Sequence, residues 1–440
     1  MVDGAEQQMP DVKVAVVGAG SFVFGPSVLK DAILENRLNG LELALLDVDR
    51  ETVQLMAGVG RRMAREAGVK AKVTAHTQRA KAFDGADFVV CSAARQIFKR
   101  FQMDCEIIGR LAPGHLITEF GGVAGISYSL RQMALIQELA ADIRKLCPKA
   151  WLFNVSNPLP RVAQAAHEAG VRTVGFCSVS IGCYGMLWRI FGGEAIKYPF
   201  ARGRETWTAL MAGLNHFSWL LELRGRESGV DAMPDLRRRL SCGATSGQTR
   251  CEKYCRRTGY LLTAGDNHVR DFLAPEPGAH QLREASHGTA AERERRLKLL
   301  RDVAAGKAPW DDLTAHESWE KPLDLVAAMA FGRPAEFSAL NLINDGQIPS
   351  LPRNVFVETP CSVSARGPVP RKIVLPRGIR PLCLRTAQVT AAIVRAGAAR
   401  RRKLVHHAVE LDPTVIDKKA GCTAIDECLK AHADVLPAYE

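Results

Sequence analysis

Val12-Lys13-Val14-Ala15-Val16-Val17-Gly18-Ala19-Gly20-Ser21 is the stretch from which the fold is read. The first six residues form a short apolar run rich in β-branched side chains, which suits a strand buried on both faces. Gly18 permits a tight turn, and Gly20 lets the backbone approach a pyrophosphate where a helix begins, near Phe22 or Pro26. A second strand, Leu41 to Leu46, ends in Asp47, whose carboxylate could accept the ribose hydroxyls of NAD. The interval from Gly18 to Asp47 exceeds the usual spacing of about 20 residues, and Val23 stands where a third glycine is common. Turn, context and acid together point to a dinucleotide. The alternative is a doubly wound domain whose glycines only make the turn.

Outward from this start, strand and helix patterns alternate through the first 180 residues or so. Ala86 to Cys91, Ala150 to Val155 and Val171 to Cys177 read as strands, and Ser127 to Leu146 as a helix. The alternation predicts an α/β fold, a Rossmann-like doubly wound parallel sheet. Ligands of such sheets sit beyond the carboxyl ends of the strands, which groups Gly18, Asp47, Ser92, Asn154 and Cys177 on one rim. From Lys197 the pattern changes. Thr206 to Leu223 is strand-like with an interruption at Gly213-Leu214-Asn215-His216, and Gln281 to Ala304 is a charged helical stretch. Asn344 to Pro381 is rich in Pro and Gly with short strand runs such as Val355 to Glu358, and Leu382 to Ala431 is helical. The expected organisation is a dinucleotide-binding part, residues 1–190, and a second α+β lobe, residues 191–440, for substrate, metal and oligomer contacts.

Composition narrows the function. The 440 residues are 47% hydrophobic and 24% charged, ordinary for a globular protein, and no run of eighteen uncharged apolar residues suggests a membrane span. Met1 to Asp11 lacks a signal-peptide core. Twelve scattered cysteines read as reduced thiols of a cytoplasmic enzyme, and Cys242, Cys251 and Cys255 lack the spacing of a structural zinc site. The net charge of +12 raises nucleic acid as a partner, but Arg400-Arg401-Arg402-Lys403 carries no interleaved aromatics and reads as a solvated helix face.

Further segments carry a resemblance: Leu46-Asp47-Val48-Asp49, Gly85-Ala86-Asp87-Phe88-Val89-Val90, Gly121-Gly122-Val123-Ala124-Gly125-Ile126 and Asn154-Val155-Ser156-Asn157-Pro158. Gly175-Phe176-Cys177, Gly213-Leu214-Asn215-His216, Asn344-Asp345-Gly346-Gln347-Ile348-Pro349 and Leu411-Asp412-Pro413 extend it. In this order the chain resembles the family 4 glycoside hydrolases, an exception to the two-carboxylate glycosidase scheme. The resemblance implies hydrolysis of a glycoside, α-linked by the form of Cys177-Ser178-Val179-Ser180. NAD would oxidise C3 of the sugar, a base would remove the C2 proton, the glycosidic oxygen would leave, and water addition and re-reduction would follow. It also implies a divalent ion, usually Mn²⁺, on Cys177 and His216, with Lewis-acid action beside O2 and O3.

By the same resemblance NAD meets Gly18, Gly20, Ser21, Phe22, Asp47, Ser92 and Asn154, and the sugar meets Arg100, Asn157 and Asn215. Tyr260 and Asp266 are both candidates for the C2 base. His268, beside them, reads as a surface or supporting residue. Many relatives carry histidine or aspartate after the cysteine, whereas Ser178 follows here, and a hydroxyl is a weak proton donor near neutral pH. The implied partner is a small glycoside, and the implied assembly a homodimer or homotetramer, with neither nucleic acid nor membrane. Two other readings stay open: a malate- or lactate-type NAD dehydrogenase, which would accumulate NADH, and a non-catalytic NAD sensor.

Overall fold

Among the described residues twelve strands form one sheet: β1 (Val12–Val17), β2 (Leu41–Leu46), β3 (Lys72–His76), β4 (Phe88–Cys91), β5 (Trp151–Asn154), β6 (Arg172–Gly175), β7 (Trp207–Leu214), β8 (Phe217–Gly225), β9 (Leu261–Leu262), β10 (Ala335–Ile343), β11 (Phe356–Ser364) and β12 (Gly367–Pro370). The structure is a computed structural model that describes residues 11–276, 290–314 and 320–440. Residues 281–289 of the expected charged stretch and Met1 to Pro10 lie outside them; the described helix there is Ala290–Ala304.

The sheet runs β3-β2-β1-β4-β5-β6-β10-β11-β7-β8-β9, with β12 on β11. Pairing is parallel from β3 to β6 and antiparallel from there on. The fold is therefore α/β, mostly parallel in its first half. The apolar run of β1 splits between two cores, as a two-residue side-chain period requires. Ala15 and Val17 join Ala44, Leu46, Val89, Cys91 and Leu152 on one face. Val12, Val14 and Val16 join Leu41, Leu43, Leu45, Val90 and Phe153 on the other. A third core gathers around the β7–β8 hairpin, with Leu214, Phe217 and Trp219 inside it.

Helix Gly122–Leu146 begins at the glycine turn, five residues before the start read from its periodicity. The C-terminal helices Arg380–Ala399, Arg402–Leu411 and Lys418–Ala431 pack on it and complete the first core, which mixes Val123, Leu130 and Met133 with Ile393, Val405 and Ile425. A cut near residue 190 thus separates segments of chain but not two cores. The basic run Arg400-Arg401-Arg402-Lys403 does not continue one helix: Arg400 turns left-handed at φ 53° and starts a break, and Arg402 pairs with Asp426.

Candidate active site

One row of paired residues crosses the sheet at its carboxyl rim. Leu46 pairs with Val17, Val17 with Cys91, Cys91 with Asn154, and Asn154 with Gly175. The row continues from Gly175 to Asn341, Asn341 to Glu358, Glu358 to Gly213, and Gly213 to Ser218. Directly paired residues share a face, so Asn154, Asn341 and Glu358 project to the same side. Gly175 leaves room for this: a Cβ there would lie 3.1 Å from the Cβ of Asn341 and 2.6 Å from Leu159 Cδ2. Gly18, Asp47, Ser92, Cys177 and Asn215 all follow within two residues of the row.

At the dinucleotide end, Gly18 adopts φ 85°, and an added Cβ would sit 3.1 Å from both the Ala93 amide nitrogen and Ser92 Oγ. The Gly20 amide donates to Asp47 Oδ2 at 2.8 Å, and the Asp49 amide to Oδ1 at 3.1 Å. Asp47 therefore clasps the glycine turn as well as ending β2. Ser21 Oγ accepts from the Phe24 amide at 3.1 Å and starts helix Phe24–Leu29, while Phe22 packs against the core below. The Oγ of Ser92 and the Oδ1 of Asn154 are buried with no hydrogen-bond partner, although Asn154 Nδ2 donates to the Ser156 carbonyl at 2.9 Å. Buried acceptors seek partners. Together with the bare glycine cradle, they fit a dinucleotide.

At the other end, β7 and β8 join through only Asn215 and His216, and His216 sits at φ 58°. A left-handed non-glycine residue costs about 1–2 kcal/mol, so the surrounding packing must impose it. Phe120 supplies that packing: its ring lies 4.4 Å from the imidazole, and the His268 ring lies 4.6 Å away edge-on. Burial first, then the neighbouring His268, holds the His216 pKa well below its usual value, so the ring is neutral. Its Nδ1 is buried without a partner. The Cys177 thiol is pushed up to about 12 by burial and the charge of Glu358, against donation from the Val179 amide and the Asn215 side chain. Among the described residues no three His, Cys, Asp or Glu side chains could hold a metal ion by themselves. The unpartnered His216 Nδ1 fits a metal ligand, and Asn215 beside it reaches the Cys177 sulfur.

Glu358 escaped the sequence reading. Its carboxylate is 2% exposed and accepts from Asn341 Nδ2 at 3.2 Å and Asn215 Nδ2 at 3.3 Å. Burial raises its pKa above the usual carboxylate range, opposed by the donors around it. Arg161 was missed too. Buried at 2%, it donates to the Phe120 carbonyl at 2.8 Å and to Ser129 Oγ at 2.8 Å, so it fixes the residue that backs His216. Burial lowers its pKa to about 10. The available signal was a charge inside an otherwise apolar strand or helix.

Three expected site residues are otherwise engaged. Arg100 is buried in an ion pair with Asp434 and donates to Gln96, while Asp104 beside it binds Arg131 and His432. This cluster ties helix Ile97–Leu111 to the C-terminal helices, and the Arg100 guanidinium is held on Asp434 and Gln96. The Asp266 carboxylate accepts from the Arg250 and Cys251 amides, both at 2.9 Å, and so caps helix Thr249–Thr258. Tyr260 lies under the Arg237 guanidinium, 5.6 Å from the ring centre, beyond β9 from Thr263, which meets Ser218. The reason is common to all three: each carries chemistry suited to a site, and a nearer structural partner claimed it. Asn157 Nδ2 donates to Glu119 Oε2 at 3.2 Å, near the rim.

Comparison with known proteins settles the family. The profile described as Family 4 glycosyl hydrolase matches residues 13–192, and that of the Family 4 glycosyl hydrolase C-terminal domain matches residues 211–415. The chain belongs to the family 4 glycosyl hydrolases. An alpha-galactosidase of Bacillus subtilis is 26% identical over 449 residues, 97% of this chain and 100% of the relative. An alpha-galacturonidase of the same organism is 24% identical and covers 92% of this chain and 94% of its own. A 6-phospho-alpha-glucosidase from gut microorganisms, solved in complex with NAD and Mn²⁺, superposes with a TM-score of 0.81 at 20% identity, over 98% of this chain and 100% of that one. The family assigns a glycoside as the class of substrate. No helix among the described residues is long and apolar enough to cross a membrane.

Proposed function

We propose that this family 4 hydrolase cleaves an α-linked hexoside with NAD and a divalent ion, Mn²⁺ by the resemblance. The observation that supports the reading is the register row, whose strand ends carry the glycine turn, Cys177 and, through Asn215, His216 with its unpartnered Nδ1, with the buried amides of Asn154 and Asn341 between them. When bound, NAD supplies hydride exchange at C3 of the sugar and the ion polarises O2 and O3. Gly18, Gly20, Ser21, Phe22, Asp47, Ser92 and Asn154 would hold the dinucleotide, and Cys177 and His216 the ion. Asn215, braced by Glu358, orients the metal end, and Asn157 faces the sugar. Removal of the C2 proton falls to the 260–268 segment, where His268 is the side chain that reaches His216.

In this reading residues 1–190 bind the dinucleotide and residues 191–440 complete the site. The twelve cysteines, all free, suit the reducing cytoplasm. The assembly is a homodimer or homotetramer by the resemblance, which light scattering measures. A panel of nitrophenyl α- and β-glycosides, neutral, acidic and phosphorylated, tests the activity. Release of nitrophenol should require both NAD and Mn²⁺ and should accompany exchange of the C2 proton with deuterium. Turnover that survives removal of both cofactors, or stoichiometric accumulation of NADH, would refute it.

A further inference from the structure

The pyrophosphate of a dinucleotide brings negative charge to a turn that already carries acids. Asp47 accepts from the Gly20 amide at 2.8 Å, and Asp49 stands two residues on, with Val48 between them 97% exposed. Like charges so close repel one another. A cation from far along the chain is set against them. Arg293 Nη2 donates to Asp49 Oδ2 at 3.0 Å, and its guanidinium carbon lies 5.9 Å from the centre of the Phe22 ring, just after the glycine turn.

Packing holds this arginine in place. It belongs to helix Ala290–Ala304, which packs on helix Arg50–Ala67. Leu300 and Val303 are fully buried in the second core with Val53, Met56 and Met63. Gly58 lets the two helices approach, since a Cβ there would lie 3.6 Å from that of Ala304. Arg62 Nη1 donates to the Val303 and Ala308 carbonyls, both at 2.8 Å, and Arg301 Nε to Glu51 Oε1 at 2.9 Å. Other cations of this helix meet its own acids: Arg295 and Arg296 pair with Glu292, and Lys298 with Asp302. Arg293 instead reaches off the helix with 64% of its side chain exposed, and the Asp49 side chain is 39% exposed. A pair so open contributes little to folding and leaves the guanidinium able to take a stronger anion.

We propose that Arg293 is a dinucleotide-binding residue: its guanidinium clasps the pyrophosphate at the glycine turn and offsets the charges of Asp47 and Asp49. The inference rests on the NAD-dependent reading above. That reading returns a hydride to the same sugar, so a dinucleotide lost between the two transfers would strand an oxidised sugar. A clasp from outside the turn retains it. Arginine suits this use, because its planar fork of donors meets phosphate oxygens in pairs.

The test measures binding of NAD and of NADP by calorimetry to the full native chain, to Arg293→Ala and to Arg295→Ala, with no substrate present. Arg293→Ala should weaken both dinucleotides alike, by about tenfold, and release NAD faster in stopped flow. The gap from the native chain should narrow as salt rises to about 0.5 M. Arg293→Lys, which keeps the charge without the fork, should recover only part of the affinity. Arg295→Ala should bind as the native chain does. If Arg293→Ala unfolds, Arg293→Gln carries the comparison. Unchanged NAD affinity in Arg293→Ala, or an equal loss in Arg295→Ala, overturns the proposal. A loss confined to NADP also overturns it, because the guanidinium would then meet the 2′-phosphate. A native chain that binds no NAD instead sinks the dinucleotide reading itself.

Discussion

Replacing Asp31 by asparagine should change how stability depends on pH. Asp31 is 2% exposed; its Oδ2 accepts from the Leu323 amide at 3.0 Å, and its Oδ1 from Asn36 Nδ2 at 2.9 Å. The same Asn36 nitrogen donates to Asp324 at 2.7 Å, so two carboxylates flank one amide. Burial first and the Asp324 charge second raise the Asp31 pKa from 3.8 to about 8, against Lys321 and the Leu323 amide. A carboxyl raised on folding stabilises fully below its unfolded pKa, and that contribution is lost as pH climbs through the folded one. Each pH unit in that window costs about 1.4 kcal/mol, so the native chain should lose about 4 kcal/mol between about pH 5 and pH 8 from this group. Asparagine does not titrate there, but it offers one acceptor where the carboxyl offers two, a pH-independent loss of about 1–2 kcal/mol. Urea unfolding of both chains at several pH values measures the difference, in which titrations remote from Asp31 cancel. Asp31→Asn should gain on the native chain by several kcal/mol as pH rises, an upper limit set by single-site linkage. Parallel stability curves would refute a raised Asp31.

Four further outcomes check the site. Gly20→Ala places a Cβ 2.8 Å from the Asp47 carboxylate and should weaken NAD at least about tenfold by calorimetry; unaltered affinity removes the cradle. The Cys177 thiol, pushed up to about 12, must release its proton to bind a cation, so Mn²⁺ affinity should rise about tenfold per pH unit near neutrality. A flat profile in Cys177 competent chain, equal to that of Cys177→Ser, denies the thiolate ligand. Glu358→Ala strands the Asn215 and Asn341 amides and should cost about 1–3 kcal/mol in urea unfolding; no loss means the amides find other partners. Asp266→Asn should cost about 1 kcal/mol as a lost helix cap and leave C2 exchange in place; loss of exchange in a stable variant would return Asp266 to the role of base.

Much of the candidate site stands at punctuation that the sequence shows. Gly18 and Asp47 follow apolar runs, Asn154 closes one, and Asn215-His216 interrupts another. Arg100 and Asp266 have side-chain types that suit a site, yet the structure also gives both structural partners. Only the position of Asp434 and of the amides at Arg250 and Cys251 shows what they hold. Glu358 gave the opposite error. Glu358 carried a local mark, a charge inside the otherwise apolar strand β11, but what it holds is set by residues far away in the chain.

The sequence alone determined most strands of the parallel half, the glycine turn and which strand ends share a rim, since these follow from local side-chain period and backbone freedom. It determined the family through the order of short segments spread over the chain. Tertiary structure alone decided which amides and carboxylates are spent on neighbours and which face the rim. Hydrogen bonding and desolvation act between residues hundreds of positions apart, and no local pattern records the register that aligns Asn154 with Asn341 and Glu358.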